Sequence, residues 1–256
     1  MPAGYAHYRF GKQALSALPD DIRKSIQRFR RLYDVGLHGP DIFFYYNPFW
    51  KTAAGELGHQ FHAMTGQEFF AQAAQAAATE AGRVYLYGLL AHYCLDSACH
   101  PYVNKAEESG EARHVELESE FDRYLLDCDG LKPPHTQDLS PHIKLTRGEC
   151  VTVAAFYPPA TPGQINAAVR HMAWAARFFS GKKRRRVERL VKLTKSQLIA
   201  DHLLPTRADA RWKVMDSQML VYYNRALNSY PQLLERLIQS MNTDASLGEE
   251  FSQTFG

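Results

Sequence analysis

The chain has 256 residues, 45% of them apolar and 22% charged, an ordinary composition for a globular protein with room for a full hydrophobic core. Its formal net charge of +3 is too small to point to nucleic acid as a partner. The longest apolar stretch, Val84 to Leu95, is too short to cross a bilayer, and the start Met-Pro-Ala-Gly-Tyr-Ala-His lacks the basic and apolar regions of a secretory leader, so a cytoplasmic protein with no transmembrane segment is expected.

Taken in order, the apolar spacing predicts helices almost throughout. Phe10 to Leu18 is a short helix. Pro19-Asp20-Asp21 starts the next, which carries Ile22, Ile26, Phe29 and Leu32 at helical spacing. Gly36 to Pro40 is a turn, and Phe43 to Trp50 is a dense aromatic run. Glu56 to Met64 and Glu68 to Thr79 are helical. Glu80 to Cys99 is a strong helix, apolar enough to be central. Lys105 to Ala112 is polar and reads as a loop, and Arg113 to Asp127 as the next helix. Residues 131–163 carry Pro133, Pro134, Pro141, Pro158, Pro159 and Pro162. This proline-rich connection is long, and either covers a site as a lid or contains short helices. Helices return at Gln164 to Phe179, Arg184 to Leu203 and Ala208 to Met241, and Asn242 to Gly256 reads as a frayed tail. With no β pattern and no repeat, the expectation is all-α: a single domain over 1–256, a multi-helix bundle with its functional residues in a central cleft.

Two stretches concentrate ligand chemistry. His92, Asp96 and His100 are spaced by four, as are His114 and Glu118, and positions four apart share a helix face. Imidazole and carboxylate together are the donor set of Zn²⁺ or a similar divalent ion. Five such residues within 27 positions point to more than one ion and to a metallohydrolase. Cys94 and Cys99 lie in the same stretch but are offset from the histidine face, which favours small buried residues over ligands. The four cysteines form no CxxC pair or disulfide framework. His38, His135, His142, His171 and His202 stay unassigned, and Glu116, Glu120 and Asp122 are expected to be solvated. The aromatics Phe43, Phe44, Tyr45, Tyr46, Phe49 and Trp50 are either core or the lining of a cleft for a lipid or cationic headgroup. Residues 182–213 hold eleven Lys/Arg against three acids, either a solvated helix start or a contact to an anionic membrane surface or polyanion.

The run Gly88-Leu-Leu-Ala-His92-Tyr-Cys-Leu-Asp96, then His100-Pro101, then His114-x-x-x-Glu118, resembles the zinc-dependent phospholipase C family. That family includes bacterial phosphatidylcholine-preferring phospholipases and clostridial alpha-toxin, and is related to single-strand-specific fungal nucleases. Ala6-His7 and Pro40-Asp41 match in the same order, so the resemblance covers roughly residues 1–130. It implies an all-α fold with three zinc ions in one cleft. Asp41, His92, Asp96 and a histidine near 60 would hold one ion; His100, His114 and Glu118 a second; His7 with a bridging Asp96 a third. His59 and His62 both stand near 60, and His62 is preferred because the family pattern has a glycine a few positions before its ligand. Asp41 would also sit beside the attacking water as general base.

This chain departs from the family in one respect. Secreted members begin with a tryptophan whose amine and carbonyl bind the third zinc, whereas here the start is Met-Pro-Ala and the first tryptophan is Trp50. Two or three ions are therefore expected. The extra membrane-binding β domain of alpha-toxin has no counterpart. Neighbouring ions lower the pKa of bound water from 15.7 to about 7 and clamp the attacking and leaving oxygens of a phosphoester. The expected function is a metal-dependent phosphoester hydrolase, phospholipase C-like, acting with a metal-activated water on a phospholipid or small phosphodiester. The alternatives are a nuclease-like phosphodiesterase and a non-catalytic metal-binding protein of the same fold.

Overall fold

The computed structural model describes residues 4–46, 52–179, 184–194, 203–243 and 246–256. Among these, every extended element is a helix, and one isolated antiparallel bridge joins Thr65 to Thr254. The chain is all-α, as expected. Phe49, Trp50, Lys182, Lys183 and His202 fall outside the described residues.

The axis of the fold is α6, Glu80–Glu108. Every residue from 84 to 96 on it is buried, the pattern of a helix covered on all sides. Among the described residues, those packed on it most extensively are α1 (Gly4–Ala14), α3 (Arg30–Gly36) and the long C-terminal α11 (Lys213–Thr243). The crossing with α3 is made by two glycines. A Cβ on Gly88 would stand 2.3 Å from the Tyr33 carbonyl oxygen, and one on Gly36 would stand 2.6 Å from the Tyr85 carbonyl oxygen. The two backbones therefore touch, which brings the residues after α3 directly over His92. The Tyr33 hydroxyl donates to the Gly11 carbonyl at 3.0 Å and ties α1 into the same layer.

Several boundaries differ from the sequence reading, each for a packing or backbone reason. The helix through Ile22 and Leu32 is two helices, α2 (Asp20–Arg28) and α3, separated by Phe29 at φ −113°, ψ 37°. Helix α6 does not stop at Cys99. Val103 and Ala106, 1% and 3% exposed, keep it packed through Pro101 and outweigh the hydrogen bond that proline cannot make, so the first half of the expected loop at 105–112 is helical. Threonine caps set the starts of α4 (Ala53–His62), α5 (Gly66–Ala76), α6 and α8 (Arg147–Ala154): Thr52, Thr65, Thr79 and Thr146 each accept a backbone N–H of the first turn. Each such cap contributes about 1 kcal/mol.

The proline-rich connection contains a short 3₁₀ turn at Pro134–Thr136 and the helix α8. It packs into the core through Ile143 and Tyr157, the latter accepting from the Tyr85 hydroxyl at 2.8 Å. Next come α9 (Pro162–Phe179) and α10 (Arg184–Thr194).

The expectation of a frayed tail is overturned. Phe251 and Phe255 are fully buried against Phe70 and Tyr93, with centroids 5.0–6.2 Å apart, and Gly66 N–H donates to the Gln253 carbonyl at 2.9 Å. Two phenylalanines bury enough apolar surface to order a segment whose other residues are small or polar.

Candidate metal centre

Four elements converge on one face of α6. From α6 itself come His92, Asp96 and His100, stacked one turn apart. Helix α1 supplies His7, the 3₁₀ helix Gly39–Tyr45 supplies Asp41, α4 supplies His62 from its last turn, and α7 (His114–Cys128) supplies His114 and Glu118. Gly39 makes the approach of Asp41 possible. Its φ is +47°, and a Cβ there would lie 2.4 Å from the His92 ring, so only glycine permits both the turn and the contact.

The donor atoms form two groups, Asp41–His62–His92–Asp96 and His100–His114–Glu118, and within each all lie within 4.8 Å of one another. In the first, His62 Nε2 is 2.9 Å from Asp41 Oδ1 and 3.9 Å from Asp96 Oδ2, while His92 Nε2 is 3.0 Å from Asp96 Oδ2 and 4.0 Å from Asp41 Oδ1. Asp96 also turns its other oxygen to His7 Nε2 at 3.2 Å. In the second group, Glu118 Oε1 lies 3.4 Å from His100 Nε2 and 3.2 Å from His114 Nε2.

This arrangement fits a cation better than a hydrogen-bond network. Both ring nitrogens of the fully buried His92 lack hydrogen-bond partners, and so does Glu118 Oε2, a costly state for buried polar atoms. The 3.0 Å approach of His92 to Asp96 brings the atoms close without hydrogen-bond alignment. Electrostatics agrees. Burial pulls the His7 and His62 imidazoles down, but Asp96 and Asp41 more than reverse this and raise them. Burial likewise opposes charge on His100, yet Asp96 and Glu118 leave its pKa at about 10. Burial would raise Asp96, yet the imidazoles of His92, His100 and His7 hold it well below the usual carboxylate range. His7, His62 and His100 thus favour the protonated form, whose positive charge a divalent ion displaces on binding.

The structure brings together all eight residues singled out from the sequence, and it separates the two histidines near 60. His62 points inward. His59, three residues earlier, is exposed and meets the ring of Phe44. The His62 Nδ1–H donates to the Gly58 carbonyl at 2.8 Å, which leaves Nε2 facing Asp41. Cys94 and Cys99 are buried and belong to neither donor group, and burial raises the Cys94 thiol to about 12. In the aromatic run, Phe43 is core against Phe61 and Tyr157, and Phe44 covers His62.

Two residues expected in solvent are buried. Glu120 is paired with Arg123. Asp122 accepts from Tyr5 N–H at 3.1 Å and Ala6 N–H at 2.8 Å; burial lifts its carboxyl to about 7 against those two bonds. It caps the N-terminus of α1, which explains why α1 starts six residues before the expected helix and aims His7 at Asp96. The sequence reading also left His38 and His142 without a role. Their Nε2 atoms meet at 2.8 Å, Tyr8 stacks on His142, and the pair fastens the proline-rich connection beside Asp41. A signal in the sequence was phase: Asp122 follows Glu118 by four residues and so shares its helix face.

Comparison with known proteins agrees with this geometry. The family described as zinc dependent phospholipase C matches residues 6–157, a span that includes every donor atom above. No curated protein and no solved structure matches the chain. With more than half its length matched and an all-α fold whose donor groups suit divalent ions, the chain belongs to the zinc-dependent phospholipase C family.

Proposed function

We propose that this protein is a metal-dependent phospholipase C-like hydrolase that cleaves the phosphodiester of a phospholipid. Asp41, His62, His92 and Asp96 would hold one ion. His100, His114 and Glu118 would hold a second, and His7 with Asp96 would contribute to a third. The observation that carries this reading is the pair of donor groups sharing one face of α6. When bound, zinc supplies Lewis-acid polarisation of a phosphoryl oxygen and an acidified water.

The protein's own groups do the rest. Asp96 faces His7 with one oxygen and His62 and His92 with the other, so it would serve both the first ion and the one shared with His7. Asp41, held by His62 at 2.9 Å, accepts the proton of the attacking water. The buried walls exclude bulk water, which strengthens every charge interaction within them. A phospholipid substrate is met at a lipid surface, and no helix of the described residues is long and apolar enough to cross a membrane. We assign part of that contact to the basic stretch 182–213, where Arg186 and Arg189 are exposed beside Leu193. Within that stretch Arg184 is instead buried against Glu188, and Arg211 pairs with Glu116. The same proposal reads residues 1–256 as one domain acting in the cytoplasm.

The test is metal content of protein purified without chelator, by plasma emission spectrometry, followed by turnover on phosphatidylcholine vesicles and on single-stranded DNA. Two or three zinc equivalents with release of diacylglycerol support the proposal. Release of nucleotides alone transfers the site to nuclease chemistry. Full zinc loading with no turnover on any phosphodiester makes the protein a metal-binding relative without catalysis.

A further inference from the structure

The segment 246–256 lies outside the span matched by the family model, yet it reaches the metal centre. Its path is fixed at four points. Gln67 Nε2–H donates to the Gly248 carbonyl at 2.7 Å, the Tyr93 hydroxyl to the Gln253 carbonyl at 3.2 Å, and Gly66 N–H to the same carbonyl at 2.9 Å. Phe251 lies parallel to Tyr93. These contacts deliver Phe255 between the two donor groups. Its ring stands 6.2 Å from His62 and 6.0 Å from His92, centroid to centroid. Its carbonyl oxygen is 2.5 Å from His100 Nδ1.

We infer that Phe255 is a positioning residue of the metal centre: its carbonyl fixes the tautomer of His100, and its ring forms the dry wall behind His62 and His92. A carbonyl oxygen only accepts, so His100 Nδ1 must carry the hydrogen. The free lone pair of the neutral ring is then on Nε2, which faces Glu118 and His114. A hydrogen bond to the nitrogen opposite the metal fixes ring orientation and makes the ligand more basic, and loss of such a partner costs 10–100-fold in metal affinity. His62 gains the same service from Gly58 within its own helix. His100 gains it from a residue 155 positions later, because its Nδ1 points out of α6 into the groove that the tail fills. Gly256 completes the fit: a Cβ there would stand 2.6 Å from His100 Nδ1.

This inference depends on His100 being a ligand, as proposed above, and the test separates the two. Zinc-loaded wild-type protein labelled with ¹⁵N-histidine is read by long-range ¹H–¹⁵N correlation. The expected result is a solvent-protected Nδ1–H on His100. A hydrogen on Nε2 in protein carrying its full zinc complement overturns the inference and needs no variant. No zinc bound at all removes the proposed function and the inference with it. A chain shortened to Thr254, checked for folding by its Tm, should lose the second ion's affinity by about 10–100-fold and populate both His100 tautomers. Phe255→Ala keeps the carbonyl and should retain the Nδ1–H signal, with the greater loss at the first ion. Unchanged zinc affinities in both variants overturn the inference.

Discussion

The two donor groups are made of the same residue types but built differently. The first, Asp41–His62–His92–Asp96, draws on three elements spread over residues 39–108 and is deeply enclosed, His92 being fully buried and Asp41 3% exposed. The second, His100–His114–Glu118, comes from two consecutive helices and lies nearer the surface, the His114 side chain being 28% exposed. An enclosed group is held by tertiary packing and tolerates few changes. A group near the rim is held by local helix geometry plus one long-range hydrogen bond, from His100 to the tail.

The comparison can be broken most sharply at Asp96, which joins the first group to His7. Asp96→Asn should empty the first group and lower turnover on the order of 10³-fold, several kcal/mol of transition-state stabilisation, while leaving the second ion in place. Plasma emission and steady-state assay decide, and loss of every ion would mean the two groups are one cooperative unit.

His62→Ala should come next. It removes a first-group nitrogen and drops both zinc content and activity, whereas His59→Ala, on the exposed side of α4, should behave as wild type. Equal losses in the two variants would show that the inward placement of His62 carries no function. His114→Ala should act at the rim alone, releasing the second ion with a smaller fall in activity and no change in Tm of the chelated protein. A large Tm change there would contradict a group held by local geometry.

The smallest effect concerns the wall beside Asp41. Burial lowers His38 well below the usual histidine range, and His142 falls to about 3 for the same reason. Both are neutral when folded and near 6.5 when unfolded. The unfolded chain therefore binds more protons below pH 6.5, so the stability they contribute is complete above that pH and is lost as pH falls toward 3, by up to about 1.4 kcal/mol per pH unit per histidine. His142→Phe keeps the stacking on Tyr8 but leaves His38 Nε2 unpaired, at a cost of about 1–3 kcal/mol at pH 7. That deficit should narrow by pH 5, read by urea unfolding in chelator. A deficit that widens with acid would reverse the assignment of charge states.

The second group was the more legible in sequence, for the reason the comparison gives. Spacing by four places His92, Asp96 and His100 on one stripe and His114 and Glu118 on another, and short-range helix geometry needs no tertiary information. Asp41, His62 and His7 entered only through resemblance to a family, since nothing local distinguishes Pro40-Asp41 from an ordinary turn. The same limit explains the errors. The early start of α1 was decided by Asp122, more than a hundred residues along the chain, and the passage of α6 through Pro101 by the burial of Val103 and Ala106.

By itself, then, the sequence determined that the chain is all-α, where most helices lie, and which imidazoles and carboxylates share a helical face, because these follow from the period of the helix and the burial of apolar side chains. Only the tertiary structure decided that His62 rather than His59 turns inward, that Asp122 is a buried cap on α1 and not a solvated acid, and that Phe255 packs between the two donor groups. Each of these depends on a hydrogen-bond acceptor or apolar surface supplied by another part of the chain, and such pairings have no signature in the spacing of residues along one element.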